Sequence, residues 1–433
     1  MKVHLQSITK KLAHFILALE LPVLALLLYA FWHHSPIRDR WLWLLWLPLL
    51  LVAARWIAHR RLWTRTPLDI FLLLFLLLGV INVRVAPYTR GYLMLARPLL
   101  GMALVIGFVE HARSRRKMAI LLGLSVVLGL VVGLLGLLAT QWTVKGDTLT
   151  ALTAYLPAIN HEGFLPDALL SFNPNEIAGT MAWLVPLAAG LAFNSGSGFH
   201  DRSTTILRRV AGIAFVLLFS ALFLGQSRFA LGGTLLALII LTLLLTPGHR
   251  ARYGRLLVIA AFGVLELVII FNLLGPTTTP SLTTRDQDSL SKRTNIWNVA
   301  LQIVGEYPLT GAGMSMYREA TREDYPVVGF EGRSVPHAHN EWLQIATDLG
   351  FPGLIVYGGW QTVIGIMLYQ CWKHGDGNSQ VVALSVAGGL VAHAIFGLGD
   401  ATPLWDRFAF VYWWLVGLVC AQYVLVRGTV RKP

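Results

Sequence analysis

Two histidines two residues apart, in the segment His337–Trp342, are the first candidates for chemistry in this 433-residue sequence. An imidazole has an unperturbed pKa of about 6.5, so it exchanges a proton near neutral pH, and acid–base catalysis is the expected use of this pair. A zinc site would need three or four ligands, and no other His or Cys cluster lies in the same predicted loop, so no metal is expected. The alternative is a pair of hydrogen-bonded surface histidines.

Three arginines are candidates for binding an anion. Arg97 lies inside a predicted membrane span, Arg228 lies in a short connection between two spans, and Arg293 begins a predicted amphipathic helix. Arginine at membrane depth is costly and usually marks a polar cavity or an anionic ligand. Each arginine also has a purely structural explanation: a pairing with Glu110 or a carbonyl for Arg97, snorkelling for Arg228 and an exposed salt bridge for Arg293.

The composition indicates what kind of fold must position these side chains. Hydrophobic residues make up 55% of the chain and charged residues 13%, with a mean hydropathy of +0.62, whereas soluble domains carry about 25% charged residues. The apolar runs are continuous rather than alternating, so they predict helices and not barrel strands. The expected fold class is an all-α polytopic membrane protein. Twelve spans are predicted, near residues 12–32, 41–58, 67–84, 91–110, 118–140, 175–193, 207–225, 229–246, 255–274, 351–372, 380–398 and 407–426.

The distribution of basic residues predicts the orientation. With both termini in the cytoplasm, Lys and Arg number 21 on the cytoplasmic side against 7 outside when the longest outer loop is left out, as the positive-inside rule requires. This asymmetry explains the net charge of +13 without any nucleic-acid partner. The basic start and the long apolar run that follows, which has no small-residue cleavage site, predict a retained signal anchor.

The spans divide the chain into three parts. Residues 1–274 are expected to form nine helices with an outer loop at 141–174, and residues 351–433 to form three helices and a cytoplasmic tail. The large loop at 275–350 is longer than a connection needs, so it is expected to carry the functional site.

Two helices are predicted inside the large loop. Apolar residues from Ser291 to Val304 recur at helical spacing. A second helix is expected to start near His339, with Gly350 as its C-terminal cap and Pro352 preventing its continuation.

Several motifs, taken in order, resemble a known family. His339-Asn340 followed at fixed spacing by Gly350 and Gly353 resembles the signature of the O-antigen ligases. Further blocks are similar to the wider superfamily of O-antigen ligases and polymerases, and they occur in the same order: Asn173-Pro174-Asn175, Ser227-Arg228, Arg293 with Ile296-Trp297, and Pro308-Leu309-x-Gly311-x-Gly313. Each motif alone can occur by chance, but the occurrence of all the motifs in this order is much more specific for the superfamily.

The resemblance implies a fold, a reaction and its partners. The fold would be similar to the membrane-embedded C-type glycosyltransferases. The enzyme would transfer a preassembled O-antigen polysaccharide from undecaprenyl diphosphate to the lipid A-core oligosaccharide, at the periplasmic face of the bacterial inner membrane. Its partners would be these two lipid-linked glycans and the membrane lipid, and no nucleotide, metal or other cofactor is expected.

The residue chemistry fits this implied reaction. A sugar hydroxyl is a poor nucleophile and needs a base, for which His339 is favoured over His337 by the family spacing and by its expected place in the first turn of a helix. Arg228 and Arg293 are expected to neutralise the departing diphosphate. The remaining expected substrate-binding residues are Arg97, Ser227, Trp297, His337 and Asn340.

Three other functions remain open from the sequence. Within the superfamily, a polymerase would use a second undecaprenyl-linked glycan as acceptor, and a protein O-oligosaccharyltransferase would use a serine. The His-Asn to Gly spacing favours the ligase. Twelve spans also suit a transporter, but acidic residues are scarce within the spans.

Overall fold

The protein is all-helical in the described part of the chain. The computed structural model describes residues 2–20, 23, 46–89, 94–142, 156, 172–193, 202–246, 248–270, 282–330 and 335–430. These residues form fourteen helices: α1 (Lys2–Ala18), α2 (Trp46–His59), α3 (Asp69–Val85), α4 (Ala96–His111), α5 (Arg115–Leu138), α6 (Pro174–Phe193), α7 (Arg202–Leu224), α8 (Arg228–Leu245), α9 (His249–Ile270), α10 (Leu282–Glu306), α11 (Tyr317–Glu323), α12 (Glu341–His374), α13 (Gly377–Phe396) and α14 (Ala409–Val430).

Seven helices of this described part are long and apolar enough to cross a membrane, namely α5, α6, α7 from Thr204, α8, α12, α13 and α14 up to Gly428. The expected all-α polytopic membrane fold is therefore confirmed. Five further helices, α1 to α4 and α9, overlap the other predicted spans, and the count of twelve spans stays a prediction. Helix α1 starts at Lys2, ten residues before the predicted span.

Small residues let the central helices approach closely. Helix α13 packs against both α6 and α8. A Cβ atom on Gly389 would lie 2.2 Å from the carbonyl oxygen of Trp183, and one on Gly233 would lie 2.5 Å from that of Ala392. Membrane helices lack a hydrophobic driving force between them, so such close backbone packing is a main source of their association.

Polar contacts at the helix ends define two faces of the bundle. On one face Arg115 pairs with Asp376 at 2.7 Å, and Glu110 pairs with Arg61 at 3.1 Å. At the other end of α13, named the site face, the residues that follow α13 contact the first turns of α4, α6, α8 and α12. The alternation of crossings stays a prediction.

The long segment between α9 and α12 folds into a small second core. Ile296, Ala300 and Ile303 on α10 are buried together with Tyr317 of α11. The predicted helix from Ser291 to Val304 is present, but α10 starts earlier, at Leu282. The expectation that Arg293 begins this helix is therefore wrong, because it lies in the middle of α10.

Helix α12 is broken at Gly350 and resumes at once. Gly350 adopts φ 67° and ψ −167°, and a Cβ atom there would lie 2.5 Å from the carbonyl oxygen of Pro308. The next N–H, of Phe351, donates to that same oxygen at 2.8 Å. The expectation that Pro352 prevents continuation of the helix is wrong. Pro352 lies in the first turn of the helix that resumes after Gly350, where a missing N–H costs little.

A buried asparagine of α3 holds this junction. The Asn82 amide nitrogen donates to the carbonyl oxygens of Thr310 at 2.7 Å and Asp348 at 2.9 Å, and its oxygen accepts from the Met314 N–H at 3.0 Å. Gly311 in the same segment has φ 64°, and a Cβ atom there would lie 2.4 Å from a carbonyl oxygen of α12. The segment that contains Gly311 and the segment that contains Gly350 are therefore packed directly against each other.

The orientation of the site face can be tested with reporter fusions. The basic-residue asymmetry predicts that the loop around Gly329 is periplasmic and that both termini are cytoplasmic. A phosphatase that is active only in the periplasm should be active when fused after Gly329 and inactive when fused after Arg431. The reversed pattern would contradict the predicted orientation.

Candidate active site

Two histidines and one aspartate meet at the site face. The Nδ1 atom of His339 lies 3.0 Å from Oδ1 of Asp400, and Nε2 of His337 lies 3.7 Å from the same oxygen. The two imidazole rings are 4.2 Å apart between centroids. The side chain of His339 is 25% exposed and that of Asp400 only 7%. A buried carboxylate thus faces an imidazole that solvent and substrate can reach.

The backbone of His339 is held in an uncommon conformation. Its φ is 48°, in the left-handed region that costs a non-glycine residue about 1 kcal/mol or more. Three hydrogen bonds hold this segment: the indole Nε1 of Trp297 donates to the His339 carbonyl oxygen at 3.3 Å, the His339 N–H donates to Nδ1 of His337 at 3.2 Å, and the Ala338 N–H donates to Oε1 of Gln344 at 2.7 Å. His339 was expected in the first turn of a helix, and this is wrong. It precedes Asn340, which is the N-cap of α12.

The pKa values of His337 and Asp400 are shifted in the same direction for different reasons. Burial, followed by the neighbouring His339, lowers the pKa of His337 to about 4, so His337 is neutral at pH 7, and its Nδ1 accepts from the His339 N–H. Burial by itself raises the pKa of Asp400, but the facing His339 and His337 and the N–H of Ala401 outweigh it and lower that pKa. Asp400 is therefore ionised at neutral pH. In the tautomer of His339 that donates Nδ1–H to this carboxylate, Nε2 is the acceptor atom of the ring.

The loop that carries Asp400 is fixed to the start of α12. The N–H of Glu341 donates to the carbonyl oxygen of Gly397 at 2.8 Å, and its carboxylate accepts from the Thr402 N–H at 3.0 Å. The amide of Asn340 donates to the carbonyl oxygen of Leu398 at 3.2 Å. The backbone N–H of Glu341 and the side chains of Asn340 and Glu341 therefore position the loop.

Two arginines also bind the loop that carries Asp400, which spans residues 397–408. Arg97 donates to the carbonyl oxygen of Trp405. Arg407 pairs with Glu176 of α6 at 3.2 Å, and its guanidinium lies 5.0 Å from the ring of Phe172. Arg97 was expected inside a span, and it lies in the first turn of α4, the helix that overlaps that predicted span. Its contact with the loop gives it a structural role next to the histidines.

An aromatic ring connects the two predicted anion-binding arginines. Arg228 is exposed and is the first residue of α8, directly after the buried Ser227. The guanidinium of Arg293 lies 5.8 Å from the centroid of Phe229. That ring packs against Gly399, where a Cβ atom would lie 2.3 Å away. The arginine blocks therefore meet beside the residue that precedes Asp400.

The structure thus brings most sequence-predicted site residues together. Arg228, Arg293, Trp297, His337 and His339 all border the loop at 397–408 or one another. Sequence reasoning missed Asp400, Glu341 and Arg407. The available signal was weak: Asp400 lies in a predicted outer connection, on the same side as His339, and a histidine base commonly has a carboxylate partner.

The same three side chains have the spacing of a metal site. One ligand atom from each of His337, His339 and Asp400 lies within 4.8 Å of the others. The pair His339–Asp400 at 3.0 Å also has ordinary hydrogen-bond geometry, and Asp400 accepts from the Ala401 N–H at 2.9 Å. The expectation that no metal is bound stays a prediction.

Comparison with known proteins identifies part of the chain. Residues 213–358 match the family model described as O-antigen ligase, which confirms the resemblance seen in the motifs. A search of curated proteins found no match. The matched segment includes Arg228, Arg293 and His339, whereas Asp400 lies beyond it. The match supports a glycosyltransferase-like enzyme of the ligase and polymerase superfamily.

Variants of the three facing residues should separate their roles. We expect His339→Ala to abolish glycosyl transfer, and Asp400→Asn to lower kcat on the order of 10²-fold with little change in KM, because the charge that orients the imidazole and stabilises its protonated form is lost. His337→Gln should be milder, since an amide oxygen can still accept the His339 N–H. The measurement is steady-state transfer by purified protein.

A metal requirement is tested in the same assay. Prior treatment with a chelator should leave the wild-type rate unchanged. Loss of the rate, with recovery on adding a divalent cation, would mean that the cluster binds a metal. An Asp400→Asn variant with wild-type kcat would contradict the orienting role.

Proposed function

We propose that this protein transfers a preassembled O-antigen polysaccharide from undecaprenyl diphosphate to the lipid A-core oligosaccharide, a reaction suggested by the match of residues 213–358 to the family model described as O-antigen ligase. The reaction takes place at the periplasmic face of the bacterial inner membrane. The donor, the acceptor and the surrounding membrane lipid are its partners. The observation that carries the proposal is the ionised Asp400 behind the accessible imidazole of His339, at 3.0 Å, with Arg293 nearby over the ring of Phe229.

The histidine supplies the base. Nε2 of His339 takes the proton of an acceptor sugar hydroxyl as its oxygen forms a bond to the anomeric carbon of the donor. Asp400 fixes the tautomer and stabilises the imidazolium that results. The bond between the anomeric carbon and the diphosphate breaks, and the electron pair leaves with the diphosphate.

The arginines stabilise the leaving group. A lipid diphosphate is already a good leaving group, so it needs charge neutralisation more than a proton. The guanidinium groups of Arg228 and Arg293 stay charged and offer paired N–H donors to phosphate oxygens. Arg228 is exposed and Arg293 half-buried, so both side chains can reach a bound ligand beside Phe229. The donor bond itself supplies the free energy, and no nucleotide is consumed.

The position of the site suits substrates that are anchored in a membrane. Helix ends meet at the site face, where the head groups of membrane lipids would lie. Asn340 and Trp297 act from here by positioning: Asn340 caps α12, and Trp297 binds the backbone of His339. Arg97 donates to the carbonyl oxygen of Trp405, and Ser227 is the N-cap residue of α8.

Purified protein with a lipid-diphosphate-linked glycan and a core acceptor tests the proposal. We expect Arg228→Ala and Arg293→Ala each to lower transfer at least about tenfold, because each removes a charge-assisted contact to the leaving group. Lysine should rescue only partly, since it lacks the paired donors. A matched control is Arg250→Ala, an exposed arginine at the start of α9 on the opposite face, which should transfer at the wild-type rate. Full activity of the double variant Arg228→Ala with Arg293→Ala would contradict the arginine role.

A deletion strain distinguishes the ligase from the polymerase of the same superfamily. Electrophoresis of its lipopolysaccharide should show a retained core band with no ladder above it. A core band carrying a single repeat would mean that the protein is the polymerase. A ladder of normal length would contradict both functions.

A further inference from the structure

A third arginine, Arg318, lies close to the histidine pair. Its helix, α11, is fixed on two sides: the Tyr317 hydroxyl donates to the carbonyl oxygen of Ile296 on α10 at 2.9 Å, and the Thr321 hydroxyl lies 3.4 Å from the carbonyl oxygen of Val335. Val335 is two residues before His337. Arg318 is one turn before Thr321, so it lies on the face of α11 that adjoins the histidine segment.

The position of Arg318 agrees with the electrostatics of the histidine pair. Burial and the neighbouring His339 lower the pKa of His337, and the positive charge of Arg318 lowers it further. Arg318 is exposed and has no ion-pair partner among the residues that the structure describes.

The acids at the end of α11 are engaged elsewhere. Glu323 pairs with Arg322 at 2.8 Å, and Asp324 accepts from the hydroxyl of Tyr88. Arg318 is therefore an exposed cation on a short ordered helix, and the pairings of Glu323 and Asp324 leave its charge without a contribution from either acid. An accessible cation of this kind next to a catalytic base is suited to bind an anionic group of a substrate.

We propose that Arg318 binds an anionic group, a phosphate or a carboxylate, carried by the acceptor oligosaccharide. The proposal rests on the proposed transfer reaction and names a specificity-determining residue for it. Arg318 would select acceptors that carry such a group close to the sugar hydroxyl that His339 deprotonates.

The positions of the arginines indicate that Arg318 contacts the acceptor rather than the donor. In a direct displacement, the attacking hydroxyl and the leaving group lie on opposite faces of the anomeric carbon, and the base lies on the side of the attacking hydroxyl. The guanidinium of Arg293 lies over the ring of Phe229, which follows Arg228 in the sequence. Both arginines belong to the proposed donor contact. Arg318 is grouped with His337, whose ring is 4.2 Å from that of His339. The anion that Arg318 contacts therefore belongs to the molecule next to the base.

The test compares Arg318→Gln with the wild-type protein. Acceptor binding to full-length purified protein is measured directly, and the KM for each substrate is measured by transfer. We expect Arg318→Gln to weaken acceptor binding and raise the acceptor KM about tenfold or more, with the donor KM and kcat close to wild type. Arg318→Lys should recover part of the loss, because the charge is retained.

Arg322→Gln is the matched control. Arg322 lies on the same helix, is exposed and already pairs with Glu323, so its variant should bind the acceptor as the wild type does. Comparable melting temperatures and membrane levels of the two variants establish that folding is unaffected.

Chemically altered acceptors identify the anion. Phosphatase-treated acceptor should bind wild-type protein as weakly as intact acceptor binds Arg318→Gln if the group is a phosphate, and acceptor with amidated carboxyl groups should do so if it is a carboxylate. A rise in donor KM alone, or unchanged acceptor binding in Arg318→Gln, would overturn the proposal. If the purified protein transfers no glycan but still binds the acceptor in a way that depends on Arg318, the proposed function is wrong and the binding site is retained.

Discussion

The contact between the start of α12 and the loop at 397–408 is the constraint on which the candidate site depends. Glu341 binds this loop through its N–H and its carboxylate, and Asp400 in turn faces His339. A backbone conformation as uncommon as that of His339 persists only when its surroundings over-determine it. Trp297, His337 and Gln344 supply the hydrogen bonds that hold this segment. The imidazole of His339 is thus positioned by two helices and one loop acting together.

Buried polar side chains extend this constraint into the membrane bundle. Gln344 accepts from the N–H between the two histidines and donates to Asp348 at 2.6 Å. The carboxylate of Asp348 accepts from the Ser315 N–H at 3.1 Å, and its backbone carbonyl is bound by Asn82 of α3. Groups this deeply buried are costly unless each is hydrogen-bonded. The continuous network therefore fixes the register between α3, the glycine segment and α12.

The motif blocks, separate in the sequence, form two contacts in the fold. The block at Arg228 and the block at Arg293 meet at the ring of Phe229, so two positively charged side chains come from the segments beside this ring. The Pro308 and Gly350 blocks meet backbone to backbone, where side chains at both glycines would clash with carbonyl oxygens. The first contact brings charged side chains together, and the second lets two backbone segments pack closely. This difference explains why the glycine spacing accompanies the histidine although neither glycine provides a functional group.

The sequence by itself determined the helical membrane class and the helix around Ile296, and the order of its motifs predicted that His339 and two arginines belong to one site. These follow from local properties, because apolar runs, helical spacing and short motifs are read within one segment. Only the tertiary structure decided that Asp400, 61 residues from His339 along the chain, is its partner, that Arg97 binds loop backbone and that His339 lies before its helix. Such contacts depend on how separate helices pack, and helix packing is set by interlocking shapes and buried hydrogen bonds that no local pattern encodes.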